Sequence, residues 1–149
     1  MGYYVTITEA GFTIPPENLD AAYEAVCELN NHNDLKRGGT FPPLKDQPAH
    51  GPRKDKNFSW MDWNYHETCS NLEEVLQQVG FDVDVNPDNG LSIIYYDNKT
   101  GQEDLFLEAI APFATEGSYI MWRGEEGEQW QNVVKNGTLT QLNAVVSWV

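Results

Sequence analysis

Basic residues are scarce: the chain of 149 residues has nine Lys and Arg against 23 Asp and Glu, a formal net charge of −14. Nucleic-acid affinity comes largely from Lys and Arg releasing counterions from phosphates, so DNA, RNA and anionic membranes are disfavoured as main ligands. Cys27 and Cys69 are the sole cysteines. They form neither a CxxC pair nor a disulfide framework, and both read as reduced thiols, with Cys27 in the core. No run of about 18 apolar residues is present to span a bilayer. The opening MGYYVTITEAGFTIPPENL lacks the basic and apolar regions of a secretory signal, which makes a cytoplasmic location the expectation. Internal repeats, glycine-rich phosphate loops, nucleophile elbows and HExxH are also missing.

Apolar residues at 40% and aromatics at 12% supply too much buriable surface for a disordered acidic chain. The length fits one domain, 1–149. Its charge is segregated. Residues 1–34 hold six acids and no Lys or Arg, residues 35–56 six bases and two acids, and residues 57–149 three bases and fifteen acids. The basic stretch coincides with LKRGGTFPPLKDQPAHGPRKDKN at 35–57, whose four prolines and three glycines break any periodicity and predict a long loop.

Residues 3–14, rich in Tyr, Val, Thr and Ile, predict a strand or bent hairpin with a bulge or turn at Gly11. After Pro15-Pro16, Leu19, Ala22, Tyr23, Val26 and Leu29 recur at helical spacing, with Glu17, Asp20, Glu24 and Glu28 on the opposite side. A second helix starts at a Ser70–Glu73 capping box and stops at Gly80, and a third starts at a Thr100–Glu103 box and stops at Pro112. Between them, Phe81, Val83 and Val85 alternate with acids, and Asn89-Gly90 precedes LSIIYY, a hairpin signature. From Gly117 to the end the pattern predicts a three-stranded meander, with Trp122 and Trp130 as cross-strand partners and Arg123 paired to a nearby glutamate. The order β, α, loop, α, ββ, α, βββ predicts an α+β fold: an antiparallel sheet with two or three helices packed on one face.

Candidate chemistry is thin. Asp84, Asn86 and Asp88 alternate as in an EF-hand loop, but Asn89 and Tyr95 stand where that loop needs Gly and Glu. His32, His50 and His66 share no metal-ligand spacing, so neither a metal nor another cofactor is expected. A His66–Cys69 nucleophile pair and an aromatic-flanked Asp62 are outweighed by a helix start and a surface acid. Gly2 with Thr6 matches a myristoylation template and Asn57, Asn98 and Asn136 match glycosylation acceptors, on spacing alone. No catalytic residue is assigned. The candidate contact residues are Lys36, Arg37, Arg53 and Lys54 in the loop, and Phe58, Trp60, Trp63 and Tyr65 in the aromatic run FSWMDWNY that follows. That run is either an exposed patch suited to a protein partner or a core strand.

DLKRGG at 34–39 and GQEDLFLEAIAPFATEGSYIMWRGEEGEQW at 101–130 resemble a group of small acidic proteins of unknown function from actinobacterial phages and their hosts. In that group APF, a short spacer, GSYI and WRGE followed by an acid and Gly recur. The likeness spans the start and the second half of the chain and leaves 40–57 unplaced. It implies a phage gene product acting in a bacterial cytoplasm, and implies no activity, cofactor or catalytic residue.

Three functional expectations follow. The first is a non-enzymatic protein that binds a basic protein partner through acidic surface, in a phage setting an inhibitor imitating the charge of nucleic acid. The second is a small-ligand binder or enzyme with a pocket under loop 35–57. The third is a subunit of a larger assembly, in contact through the meander edge ending at Trp148.

Overall fold

A computed structural model describes residues 2–144. Strand β1 (Tyr4–Ile14) alternates inward apolar with outward polar residues, and the alternation changes phase once. Val5 and Ile7 are buried before residue 8, Phe12 and Ile14 after it. Register on the neighbouring strand jumps between Ile7 and Glu9: a bulge inserts one residue and returns the apolar set to the core. The bulge is therefore not at Gly11, which stays in the ladder opposite Tyr119. A Cβ on Gly11 would lie 2.5 Å from the Tyr119 ring, so glycine is there to admit that ring.

Pro15 and a single 3-10 turn lead into α1 (Leu19–Leu29). Next come β2 (Gly38–Gly39) and β3 (Lys56–Asn57), paired as a two-stranded antiparallel ribbon. The loop 35–57 is thus a hairpin-like excursion with a defined base. α2 (Tyr65–Thr68) and α3 (Leu72–Val79) follow, then the hairpin β4 (Asp82–Asn86) and β5 (Gly90–Tyr95), the short β6 (Asp97–Lys99) and α4 (Glu103–Ile110). The meander β7 (Tyr119–Gly124), β8 (Gln129–Lys135) and β9 (Thr138–Asn143) completes the fold. Positions 145–149, including Trp148, lie outside the described residues.

The strands form one seven-stranded sheet in the order β4-β5-β1-β7-β8-β9, with β6 also pairing β1, and every ladder is antiparallel. α1 packs between α3 and α4. The helices cover the face that carries Val5, Ile7, Phe12, Ile14, Ile93, Ile120 and Trp122. This is the expected α+β arrangement.

Helix starts differ in detail from expectation. α3 is capped by Asn71, whose Oδ1 accepts from the Glu74 N–H at 2.9 Å, while the Glu74 carboxylate accepts from the Ser70 N–H at 2.6 Å. The reciprocal pairing is shifted by one residue from Ser70–Glu73. At α4 the Thr100 hydroxyl donates to Glu103 at 2.6 Å and the Gly101 N–H donates at 2.7 Å. That link holds the turn ahead of the helix, whose N-cap is Gln102.

The aromatic run is neither a strand nor an exposed patch throughout. Residues 58–64 form turns and lead into α2, and Phe58, Met61, Tyr65, Cys69 and Leu72, spaced by three or four, are buried. Phe58, Tyr65 and Phe106 pack against one another with centroids 5.4–6.3 Å apart. The Tyr65 hydroxyl donates to the Val26 carbonyl at 2.6 Å, and burial holds that phenol far above its ordinary pKa.

Candidate functional site

Of the loop cations, Lys36 is buried at 9% exposure. Its Nζ donates to Asn33 Oδ1 at 2.8 Å and lies 5.6 Å from the centroid of the Phe58 ring. Burial, helped by the Lys56 charge and opposed by Asp55, pulls its pKa down to about 8. Arg53 grips the buried Asp55 carboxylate with Nε at 3.0 Å and Nη2 at 2.9 Å. Lys54 lies over Trp63 at 5.6 Å from the ring centroid. Arg37 is exposed, and its backbone N–H is held by Gln102 at 3.1 Å. The four cations therefore do not converge on one pocket. Three are occupied by internal partners, and Arg37 alone lines a cleft.

That cleft, about 540 Å³, lies at the base of the loop between Arg37, Gln102, Asp104, Trp130 and Gln141. Its volume is in the range of small-molecule sites, but it sits beside the loop and not beneath it.

Phe58 and Tyr65 belong to the core and leave the set of contact residues. Trp60 is 45% exposed, with its indole N–H donating to the Gln78 carbonyl at 3.0 Å, and Trp63 is half-buried. Asp62 between them is exposed and accepts from Gln78 Nε2 at 2.9 Å and Thr68 at 3.2 Å. It is a turn residue, not one on a strand. His66 and Cys69 do not work together: His66 Nδ1 accepts from Asn30 at 2.9 Å, and burial raises the Cys69 thiol pKa, the opposite of nucleophile activation. Asn86 Oδ1 accepts from the Asp88 N–H at 2.8 Å, an Asx-turn that accounts for the EF-like spacing. Trp122 and Trp130 stack at 6.2 Å as expected. Arg123 forms no ion pair among the described residues.

The loop also presents a large apolar side chain to solvent. Phe41, two residues past β2 and beside Pro42-Pro43, is 93% exposed. A lone Phe within a Pro/Gly-rich stretch has no periodic partner to bury it, and that is the signal that marks it.

The helix layer carries acidic side chains on α1, α3 and α4. Of the 23 acids, only Asp55 and Glu103 are buried and Glu73 and Glu74 half-buried; the others are exposed. α1 presents Asp20, Glu24 and Glu28 along one side, α3 adds Glu73 and Glu74, and α4 adds Asp104 and Glu108. None of these three helices contains a Lys or Arg. Partial desolvation, and secondarily the Asp104 charge, raise the Glu108 pKa. Among the described residues, one Lys/Arg–carboxylate ion pair exists, Arg53–Asp55, so the helical face is not neutralised from within.

No protein-family model, curated protein or solved structure matches the chain.

Proposed function

We propose that this protein is a non-enzymatic interaction protein whose helical face docks on a basic surface of a protein partner. The observation that carries the reading is the helix layer itself: α1, α3 and α4 expose acids and hold no base. Asp20, Glu24 and Glu28 stand a helical turn apart, about 6 Å in rise, forming a row of negative charge on a rigid element. Such a row attracts a cationic groove over roughly a Debye length, 8–10 Å at ordinary salt. Duplex DNA carries about one charge per 1.7 Å of axis, so the row imitates its sign and linear form at lower density. In the phage setting suggested by the resemblance, the partner is a host protein that ordinarily binds nucleic acid, and the protein competes with that ligand.

Affinity purification from bacterial lysate, with wild type and a Glu24→Lys/Glu28→Lys variant as parallel baits, tests this. A basic protein recovered by wild type, lost with the variant and released by salt supports the reading. Identical recovery by both baits overturns it.

A small-ligand reading rests on the cleft beside Arg37 and Trp130. It is the weaker of the two, because Asp104 in the lining opposes the anion that Arg37 favours, and the other loop cations are engaged elsewhere.

A further inference from the structure

From Asn136 to Val149 the chain contains no Asp, Glu, Lys, Arg or His. In a protein of net charge −14 this is an exceptional stretch, and it includes β9, among the described residues the outermost strand at one side of the sheet. Sheets ordinarily guard a free edge with charges, proline or a bulge. The opposite edge follows that rule, since β4 carries Asp82 and Asp84 and a register jump after Asp82. β9 has no such device: its ladder with β8 runs unbroken from Lys135↔Thr138 to Trp130↔Asn143.

The turn at Asn136-Gly137 has φ of 53° and 74°, the two positive values of a type I′ hairpin, which makes Lys135↔Thr138 a hydrogen-bonded pair. Alternation then turns the N–H and C=O groups of Thr138, Thr140 and Leu142 toward β8, and those of Leu139, Gln141 and Asn143 outward. The Ala144 N–H donating to the Gln129 carbonyl at 3.1 Å keeps the same alternation.

We propose that β9 pairs antiparallel with β9 of a second copy of this chain, about a two-fold axis at Gln141. In that register Gln141 faces Gln141 of the second copy and Leu139 faces Asn143, so every outward N–H on either strand meets a carbonyl. Leu142, 45% exposed, comes against Thr140 of the second copy on the helix-free face. Charge selects this occupant: a basic partner gains nothing at an uncharged strand, whereas two acidic chains approach with least repulsion where neither bears charge. One six-residue strand buries less than a standard interface, so affinity is expected at roughly micromolar or weaker.

The test is sedimentation equilibrium of the full chain at roughly 10 and 500 μM, in roughly 0.05 and 0.5 M NaCl, a range that shortens the Debye length several-fold. The mass is expected to rise from 16.9 kDa toward twice that value with concentration, and further in high salt, because salt screens repulsion between two acidic bodies. Gln141→Pro removes an outward N–H and leaves the β8 ladder intact, and is expected to abolish the rise. Leu142→Glu, which alters an exposed side chain only, weakens association at least tenfold in low salt and decides the matter should the proline variant fail to fold by circular dichroism. A mass of 16.9 kDa under every condition, a dimer untouched by Leu142→Glu, or a dimer dissociated by salt would overturn the proposal.

Discussion

The Gln102 side-chain oxygen accepts a hydrogen bond from the Arg37 backbone N–H at 3.1 Å. The same oxygen accepts from the Ser59 N–H at 3.1 Å, and the Gln102 amide donates to the Leu35 carbonyl. One buried carboxamide at the start of α4 thereby holds both ends of the basic loop to the helix layer. Gln102→Ala removes the partner of two backbone donors and one acceptor, of Arg37, Ser59 and Leu35, that are only partly shielded from water, a loss of about 1–2 kcal/mol. Hydrogen exchange is expected to accelerate across 35–59 ahead of the sheet. Uniform acceleration throughout the protein would show that Gln102 is only one more core contact.

Lys36 links the loop to pH. Its ammonium is disfavoured in the fold, with a pKa of about 8 against an ordinary 10.5. The folded state thus carries the full penalty below pH 8 and sheds it as pH rises toward 10.5, where the unfolded chain binds more protons. Lys36→Met keeps the stem and drops the charge, so it is expected to melt higher than wild type at pH 7, by no more than about 3 kcal/mol in stability, with the gap closing between pH 8 and 10.5. Taking the difference between the two proteins removes the opposing trend of Tyr23, held at about 12 chiefly by burial. A gap that stays constant with pH contradicts the assignment.

Gly90 is a steric requirement. Its φ is +83°, and a Cβ would stand 2.0 Å from the Ile14 carbonyl oxygen. Both terms oppose any side chain where β5 begins beside β1. Gly90→Ala is expected to cost roughly 3 kcal/mol or more, read as a lowered denaturation midpoint. Gly127→Ala, at φ +88° with nothing within 4 Å of its Cβ, is expected to cost only about 1 kcal/mol.

Periodicity made much of this fold legible. The three- and four-residue spacing of Leu19 to Leu29 and of Leu72 to Val79, and the Asn-Gly pairs at 89–90 and 136–137, predict elements that are present. The bulge was not legible at its true place, because a one-residue phase shift at Thr8 looks like ordinary polar substitution until strand register is known. The burial of the aromatic run was one of two legible alternatives, but its turn-and-helix form was not, because five large side chains in eight residues hide the spacing of Phe58, Met61 and Tyr65. The burial of Lys36 and the reach of Gln102 to residues 35 and 59 depend on contacts distant in sequence, and no local pattern encodes them. The acidic outer side of α1 was legible from Asp20, Glu24 and Glu28. That α1 lies against both α3 and α4 required the packing.

The acidic row itself works against stability. Asp20–Glu24, Glu24–Glu28 and Asp104–Glu108 are like-charge pairs four residues apart, each unfavourable by about 0.2–0.5 kcal/mol, and Glu28 faces the negative end of the α1 dipole. Glu24→Gln/Glu28→Gln is therefore expected to raise the melting temperature at low salt, with the gain fading as salt is added. A protein that melts higher and loses its partner is the pattern expected of a surface kept for binding.

Binding of the helical face to a basic partner through charge is the proposed function. Quantitative affinity purification from bacterial lysate tests it with wild type, Glu24→Lys/Glu28→Lys, and an Asp82→Lys/Asp84→Lys control on edge strand β4, eluted in steps of salt. One or more basic proteins are expected to be bound by wild type and control alike, absent with the helix variant, and released as screening grows. Recovery unaffected by the helix substitutions, or retained through the highest salt step, would contradict it.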